Sequence, residues 1–312
     1  MPVFLFPGQG AQYSGMGMDL YEADTSNTLG IRSLFEEADA ILGSPVSGLL
    51  TADDETLKRT DVSQVAITVA SLAAYLALKA KGINPEACAG FSLGEYPALA
   101  VAGVISIRDA IFLTKERGRV MQEACASLSG SGMAAGMAAG MAAVLGLSPE
   151  AIDRVISALG IPNLYAANYN SPLQTVISGT SEAIEAAEPA FKEAGARRVV
   201  RLKVAGPFHS PLMAEAGKAF AAILDGVSFA DPAIPLFSNV TGKRVSSGAE
   251  AKKLAVAHIS GPVRWTDEEA AISALAGESC NCVEVGPGKV LTGLWADSKN
   301  PGTCKPYAEY LN

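Results

Sequence analysis

Cys88-Ala89-Gly90-Phe91-Ser92-Leu93-Gly94-Glu95-Tyr96 decides the reading of this chain. Ala87 to Gly90 is a short run of small and apolar residues, which reads as a buried strand. The run breaks at Gly90-Phe91-Ser92-Leu93-Gly94, and Glu95 to Val104 reads as the first turns of a helix. This is the G-x-S-x-G spacing of a nucleophile elbow, in which glycines on either side of a serine let a strand turn sharply into a helix. The serine then stands at the strand tip beside the positive end of the helix. Its hydroxyl attacks a carbonyl only when a base takes the proton. A plain strand–turn–helix joint uses the same residues, so the rest of the chain must decide.

The remainder supports an enzyme-sized α/β protein. With 312 residues, 49% hydrophobic and 18% charged, the chain has ample length for a large core and the composition of a folded protein. A formal charge of −8 argues against nucleic acid as the main partner. No basic segment precedes the apolar run after Met1-Pro2-Val3-Phe4, so no signal peptide is expected. The longest apolar run, Val65 to Leu78, carries Thr68 and Ser71 and is too short to span a bilayer; it reads as a buried helix, and no membrane is expected. Five cysteines without a paired framework suggest a reducing, cytoplasmic setting, and Cys280-Asn281-Cys282 lacks a second ligand pair for a metal.

Outward from the elbow, Val3 to Phe6 reads as a strand ending in Pro7-Gly8-Gln9-Gly10-Ala11-Gln12, where two glycines let backbone approach a ligand and free the N–H of Gln9 to point inward. Helices are expected over Ile31 to Leu42, from Asp61 to about Lys81, and from Ile107 to about Cys125, the last carrying Arg117 and Arg119 and starting at the N-cap Ser106. Gly-Met-Ala-Ala occurs three times from Gly132 to Ala143; the first two copies are expected to loop out and the third to run into a strand. From there the pattern is βαββαβ, with strands at Ala142 to Leu147, Leu164 to Tyr169, Thr175 to Ser178 and Val199 to Val204, and helices at Ser148 to Leu159 and Ser181 to Ala194. The α/β pattern resumes with strands at Ile234 to Ser238 and Asn281 to Val285. The expected division is a large catalytic domain, 1–131 with 205–312, and an inserted ferredoxin-like subdomain, 132–204.

The search for a base is short, because the chain holds two histidines. His209 sits in Ala205-Gly206-Pro207-Phe208-His209-Ser210-Pro211, a rigid turn past a strand end, where α/β sheets present catalytic groups. His258 lies near the end of a helical stretch, where a histidine often packs or caps. His209 is therefore the expected base. The basic run Arg197, Arg198, Arg201 and Lys203 leads toward it and suits an acidic carrier protein or coenzyme phosphates, although outward charges on an edge strand give the same pattern.

Six motifs in one order then carry a resemblance: Phe6-Pro7-Gly8-Gln9-Gly10-Ala11-Gln12, Gly90 to Tyr96, Arg117-Gly118-Arg119-Val120-Met121-Gln122, Asn168-Tyr169-Asn170-Ser171-Pro172, Phe208-His209-Ser210-Pro211-Leu212-Met213 and Glu284 to Leu291. Together, from about Phe4 to Leu294, they resemble the malonyl-CoA:acyl carrier protein transacylases of dissociated fatty acid synthesis. The resemblance implies a hydrolase-like α/β core with a parallel sheet. It implies that Ser92 takes the malonyl group as an ester, with His209 as base and then acid, and that the N–H groups of Gln9 and Leu93 form an oxyanion hole. Arg117 would hold the free carboxylate, with Gln64, Asn170 and Phe208 around the substrate, and the main-chain carbonyl of His258 would orient His209. No cofactor or metal is implied, malonyl-CoA being a substrate, and the chain is expected to act as a monomer on an acyl carrier protein. Phe91 stands where the family more often has histidine, which bears on acyl preference rather than on Ser92; His258 stands where it often has glutamine and offers the same main-chain carbonyl, so the dyad is expected to survive. Two other readings share the elbow: a serine esterase or thioesterase with Asp153 or Glu185 as an acidic third member, and a carrier-docking module without activity.

Overall fold

The computed structural model describes residues 1–130 and 139–311. Its strands are β1 (Pro2–Phe6), β2 (Ala87–Gly90), β3 (Ala139–Leu145), β4 (Leu164–Ser171), β5 (Gln174–Thr180), β6 (Arg198–Arg201), β7 (Phe237–Ser238), β8 (Lys243–Arg244), β9 (Asn281–Glu284) and β10 (Thr303–Pro306). A parallel sheet in the order β10-β9-β1-β2 forms the centre of an α/β fold. Strands β1 and β2 are apolar on both faces, as strands covered by helices must be. Phe4, Phe6 and Cys88 face one core, with the helix Thr60–Ala80, while Val3, Leu5, Ala87 and Ala89 face another, with Trp265 and Trp295.

The helix Thr60–Ala80 has 21 residues and is long and apolar enough to cross a membrane. The apolar run Val65 to Leu78 lies within this helix, which starts one residue before the expected Asp61, and it is buried as expected. What accounts for its composition is packing: 83% of its most apolar window is buried inside the protein.

The elbow depends on two close approaches. A Cβ on Gly90 would lie 2.0 Å from the carbonyl oxygen of Gly94, and one on Gly94 would lie 2.0 Å from that of Phe6. Only glycine lets the tip of β2, the turn Ser92–Gly94 and the end of β1 come this close. The helix Glu95–Val101 then leaves the turn.

Residues 139–201 form a second, antiparallel sheet in the order β4-β5-β3-β6, with the helices Pro149–Leu159 and Ser181–Glu193 packed on a cluster that includes Val144, Ile152, Ile177 and Phe191. Ser148 and Thr180 cap those helices through their hydroxyls. A register shift between Ala166 and Asn168 breaks β4, and there it joins the rest of the protein: Tyr169 donates to the Val263 carbonyl at 2.9 Å and Val263 donates to that of Ala167 at 2.8 Å.

Three differences from the sequence reading have physical causes. β6 ends at Arg201 rather than Val204, because the chain must turn toward Gly206-Pro207. Only Phe237–Ser238 of the expected strand from Ile234 forms a ladder; Pro235 has no N–H to donate, and Leu236 makes a lone bridge to Cys88. β10 lies on the edge of the parallel sheet, and its polar sequence gave no strand signal. The first Gly-Met-Ala-Ala copies fall outside the described residues, except Ala139, which starts β3.

Candidate active site

Ser92, at the elbow, and His209, in the loop after the second sheet, meet across 117 positions of sequence with Oγ and Nε2 2.7 Å apart. Both have left-handed backbone, φ 52° and 55°. Pro207 and Pro211 bracket the histidine loop, and the Ser210 hydroxyl donates to the Pro207 carbonyl at 2.6 Å. The Nδ1 atom of His209 faces the carbonyl oxygens of His258 at 3.0 Å and Gly261 at 3.2 Å. Two acceptors there place the ring proton on Nδ1 and leave Nε2 as the acceptor for the serine proton. Burial first, then the neighbouring His258 and Arg117, holds the pKa of His209 well below the ordinary imidazole value, so the ring is neutral at pH 7.

Arg117 comes from the helix Ile107–Gly130, which lies against Thr60–Ala80 so closely that a Cβ on Gly118 would be 2.8 Å from the Thr60 carbonyl oxygen. That packing brings the guanidinium to the Gln64 amide oxygen at 2.7 Å and to Ser92 Oγ at 3.5 Å, over the ring of Tyr96. Arg117 is buried and pairs with no carboxylate among the described residues, and its Nε has no partner. Burial lowers its pKa, as for a cation short of counter-charge. Such a group is a receptor for an anion delivered beside the serine.

A cavity of about 230 Å³ opens over these residues. Gln9, Phe91, Asn170 and Phe208 line it, and Asn170 Oδ1 is buried without a protein partner. In the Gly8–Gln12 loop, Gly10 donates its N–H to the Gln12 side chain and Ala11 to the Gly8 carbonyl. Leu93 is buried directly after the serine. Gln64 holds Arg117 and does not line the cavity itself. Gln174 lines both this cavity and an adjoining cleft of about 510 Å³ that carries Arg197, Arg198 and Lys299. Lys203 reaches the cavity, whereas Arg201 is spent on the Ser181 carbonyl and Glu185.

The two acidic candidates for a third catalytic member are engaged elsewhere: Asp153 accepts from the Tyr169 hydroxyl at 2.8 Å, and Glu185 pairs with Arg201. Sequence reasoning missed three buried groups beneath the elbow. Glu95 Oε2 lies 2.9 Å from His258 Nδ1, and Asn239 bridges Ser92 to Glu268. Asn239 stands in Ser238-Asn239-Val240-Thr241-Gly242, which reads as an ordinary turn signal.

A model of the acyl transferase domain matches residues 3–300. The chain is 38% identical, over 93% of its length and 88% of the relative's, to the malonyl CoA-acyl carrier protein transacylase of Bacillus subtilis (strain 168). Among solved structures it resembles an acyl carrier protein S-malonyltransferase from Vibrio cholerae O1 biovar eltor, with a TM-score of 0.88, 35% identity, and coverage of 97% of this chain and 96% of that one. It also resembles the malonyl-transacylase solved with its type II polyketide synthase acyl carrier protein, with a TM-score of 0.87, 35% identity, and coverage of 98% and 95%.

Proposed function

The chain belongs to the acyl transferase family, and on that premise we infer an acyl-carrier-protein S-malonyltransferase that moves the malonyl group of malonyl-CoA to the phosphopantetheine thiol of an acyl carrier protein in fatty acid synthesis. Supporting this reading most directly is the buried Arg117 guanidinium, with no carboxylate partner among the described residues, 3.5 Å from Ser92 Oγ. A hydrolase of simple esters has no use for it; a free carboxylate one carbon from a thioester does.

This reading gives each residue a role. Nε2 of His209 takes the Ser92 proton as Oγ attacks the thioester carbonyl, and the N–H groups of Leu93 and Gln9 stabilise the oxyanion. Collapse breaks the C–S bond, the imidazolium returns its proton to the coenzyme A sulfur, and a malonyl ester remains on Ser92. The thiol of the carrier then gives its proton to His209 and attacks the ester; the C–O bond breaks and the proton goes back to Ser92. The His258 and Gly261 carbonyls hold the imidazole in the required tautomer. Arg117, fixed by Gln64, binds the malonyl carboxylate, with Asn170 and Phe208 along the walls. Arg197, Arg198 and Lys299 suit the coenzyme phosphates, and the reaction needs no cofactor. We further take residues 132–204 as an inserted unit, and the protein as a cytoplasmic monomer without nucleic-acid or membrane partners.

The test is incubation with malonyl-CoA followed by mass spectrometry of the peptide that holds Ser92. A stable malonyl adduct, discharged by carrier protein, is the expected result. Rapid release as free malonate would instead favour a thioesterase, and no adduct would favour a docking module.

A further inference from the structure

Under the elbow lies a side chain that the reaction described above leaves without a task. Asn239 is fully buried and uses both ends of its amide. Its Oδ1 accepts the Ser92 N–H at 2.6 Å, and its Nδ2 donates to the Gly90 carbonyl at 2.5 Å and to Glu268 Oε1 at 2.6 Å. One amide thus bonds the main chain on both sides of Phe91, as a neighbouring strand would, across a separation of 147 residues from the serine.

The orientation of that amide is fixed by its surroundings. A flipped amide would set Nδ2 against the Ser92 N–H and Oδ1 against the Gly90 carbonyl, whose roles as donor and acceptor are fixed. Glu268 is itself buried, in the first turn of the helix Trp265–Ala276, and burial pushes its pKa well above the ordinary carboxyl range. The Asn239 carbonyl accepts from Arg264 N–H at 2.8 Å, so the asparagine and that helix arrive as one unit.

We propose that Asn239, oriented by Glu268, is the positioning residue that holds Ser92 in the left-handed backbone conformation from which its hydroxyl reaches His209. A serine at φ 52° is disfavoured by its own Cβ. With its N–H taken from below, the peptide plane before Ser92 is pinned. The Ser92 N–H is also removed from the cavity, so a bound oxyanion meets the N–H of the next residue. Loss of the clamp lets the hydroxyl drift from its line to Nε2 without altering the malonyl pocket, and so slows acylation rather than weakening binding.

The inference rests on Ser92 being the acyl acceptor, and single-turnover acylation by malonyl-CoA, followed by quenched mass spectrometry of the Ser92 peptide, separates the two. Failure of the unaltered protein to form the adduct would remove that reading itself. Given the adduct, Asn239→Ala is expected to slow acylation about tenfold to a hundredfold, with KM for malonyl-CoA changed only a few-fold. Acylation at the unaltered rate, or a loss carried entirely by KM, overturns the role of Asn239. Should Asn239→Ala fail to fold, Asn239→Asp decides. Its carboxylate keeps an acceptor for the Ser92 N–H, and the carboxyl of Glu268, kept protonated by burial, donates to it instead of accepting. The hold on Ser92 is then retained and acylation within a few-fold of the parent rate is expected; a folded Asn239→Asp protein slowed tenfold or more overturns the proposal.

Discussion

Ser92 Oγ and His209 Nε2 lie 2.7 Å apart although each residue sits in a backbone region that non-glycine residues avoid. Each such conformation costs on the order of 1–3 kcal/mol, so the fold around the pair outweighs that cost twice. Strain retained at both partners of one hydrogen bond is the pattern of a pre-organised reacting pair.

Replacing His209 by Gln should retain the turn and remove the base. Acylation of Ser92 should fall by roughly a hundredfold to ten-thousandfold, measured as the rate of adduct formation, and Ser92→Ala should form no adduct on that peptide. A His209→Gln protein acylating at near the parent rate would assign the proton transfer elsewhere.

Arg117→Ala removes the buried cation that faces the cavity. A hydrogen-bonded charge of this kind contributes about 1.5–3 kcal/mol, so malonyl transfer should drop by one to two orders of magnitude while acetyl transfer from acetyl-CoA holds or improves. Equal losses with both acyl groups would refute a carboxylate role.

The depressed pKa of His209 fixes the sign of two pH effects. The neutral ring persists as pH falls through the ordinary imidazole value near 6.5, so the acidic limb of kcat/KM should appear below that value. Stability runs the same way. Below about pH 6.5 the unfolded chain takes up a proton that the folded chain refuses, so His209 lowers stability as pH falls and has no effect well above it. Moving the limb to pH 7 or above would contradict the burial of the ring.

Glu269, which accepts from Trp265 Nε1 at 2.7 Å, has its pKa raised to about 7, chiefly by burial. Its contribution is complete below the unfolded carboxyl value near 4.5 and is lost as pH rises through 7, to on the order of 3 kcal/mol. Urea denaturation should show Glu269→Gln gaining on the parent between pH 5 and pH 8, since glutamine keeps the acceptor without the charge. A difference that stays constant over that range would exclude ionisation at Glu269 as the cause.

The sequence carried the reacting groups more clearly than their supports. Ser92 was legible because the glycines at 90 and 94 stand beside it in sequence, although the approach that requires Gly94 is to Phe6 at the end of β1, and His209 because it had one competitor. The first helices and the βαββαβ run were legible from period and caps, since those signals are local. Asn239 and Glu268 were not, because nothing within ten residues of either reveals that an amide will sit beneath a serine from the other end of the sheet. Pro235 cut a strand that its neighbours promised, and there a count of apolar residues was the wrong measure.

The atoms that steady the His209 ring belong to the peptide main chain at 258 and 261, at the close of the helix Gly248–Ser260. Every amino acid brings the same oxygen, so the dyad tolerates many replacements there. Its weak point is helix phase. One residue added or removed between 248 and 258 would rotate the His258 oxygen by about 100° around the axis and disarm the histidine with every named side chain still in place. Indels, more than point changes, are what this support cannot absorb.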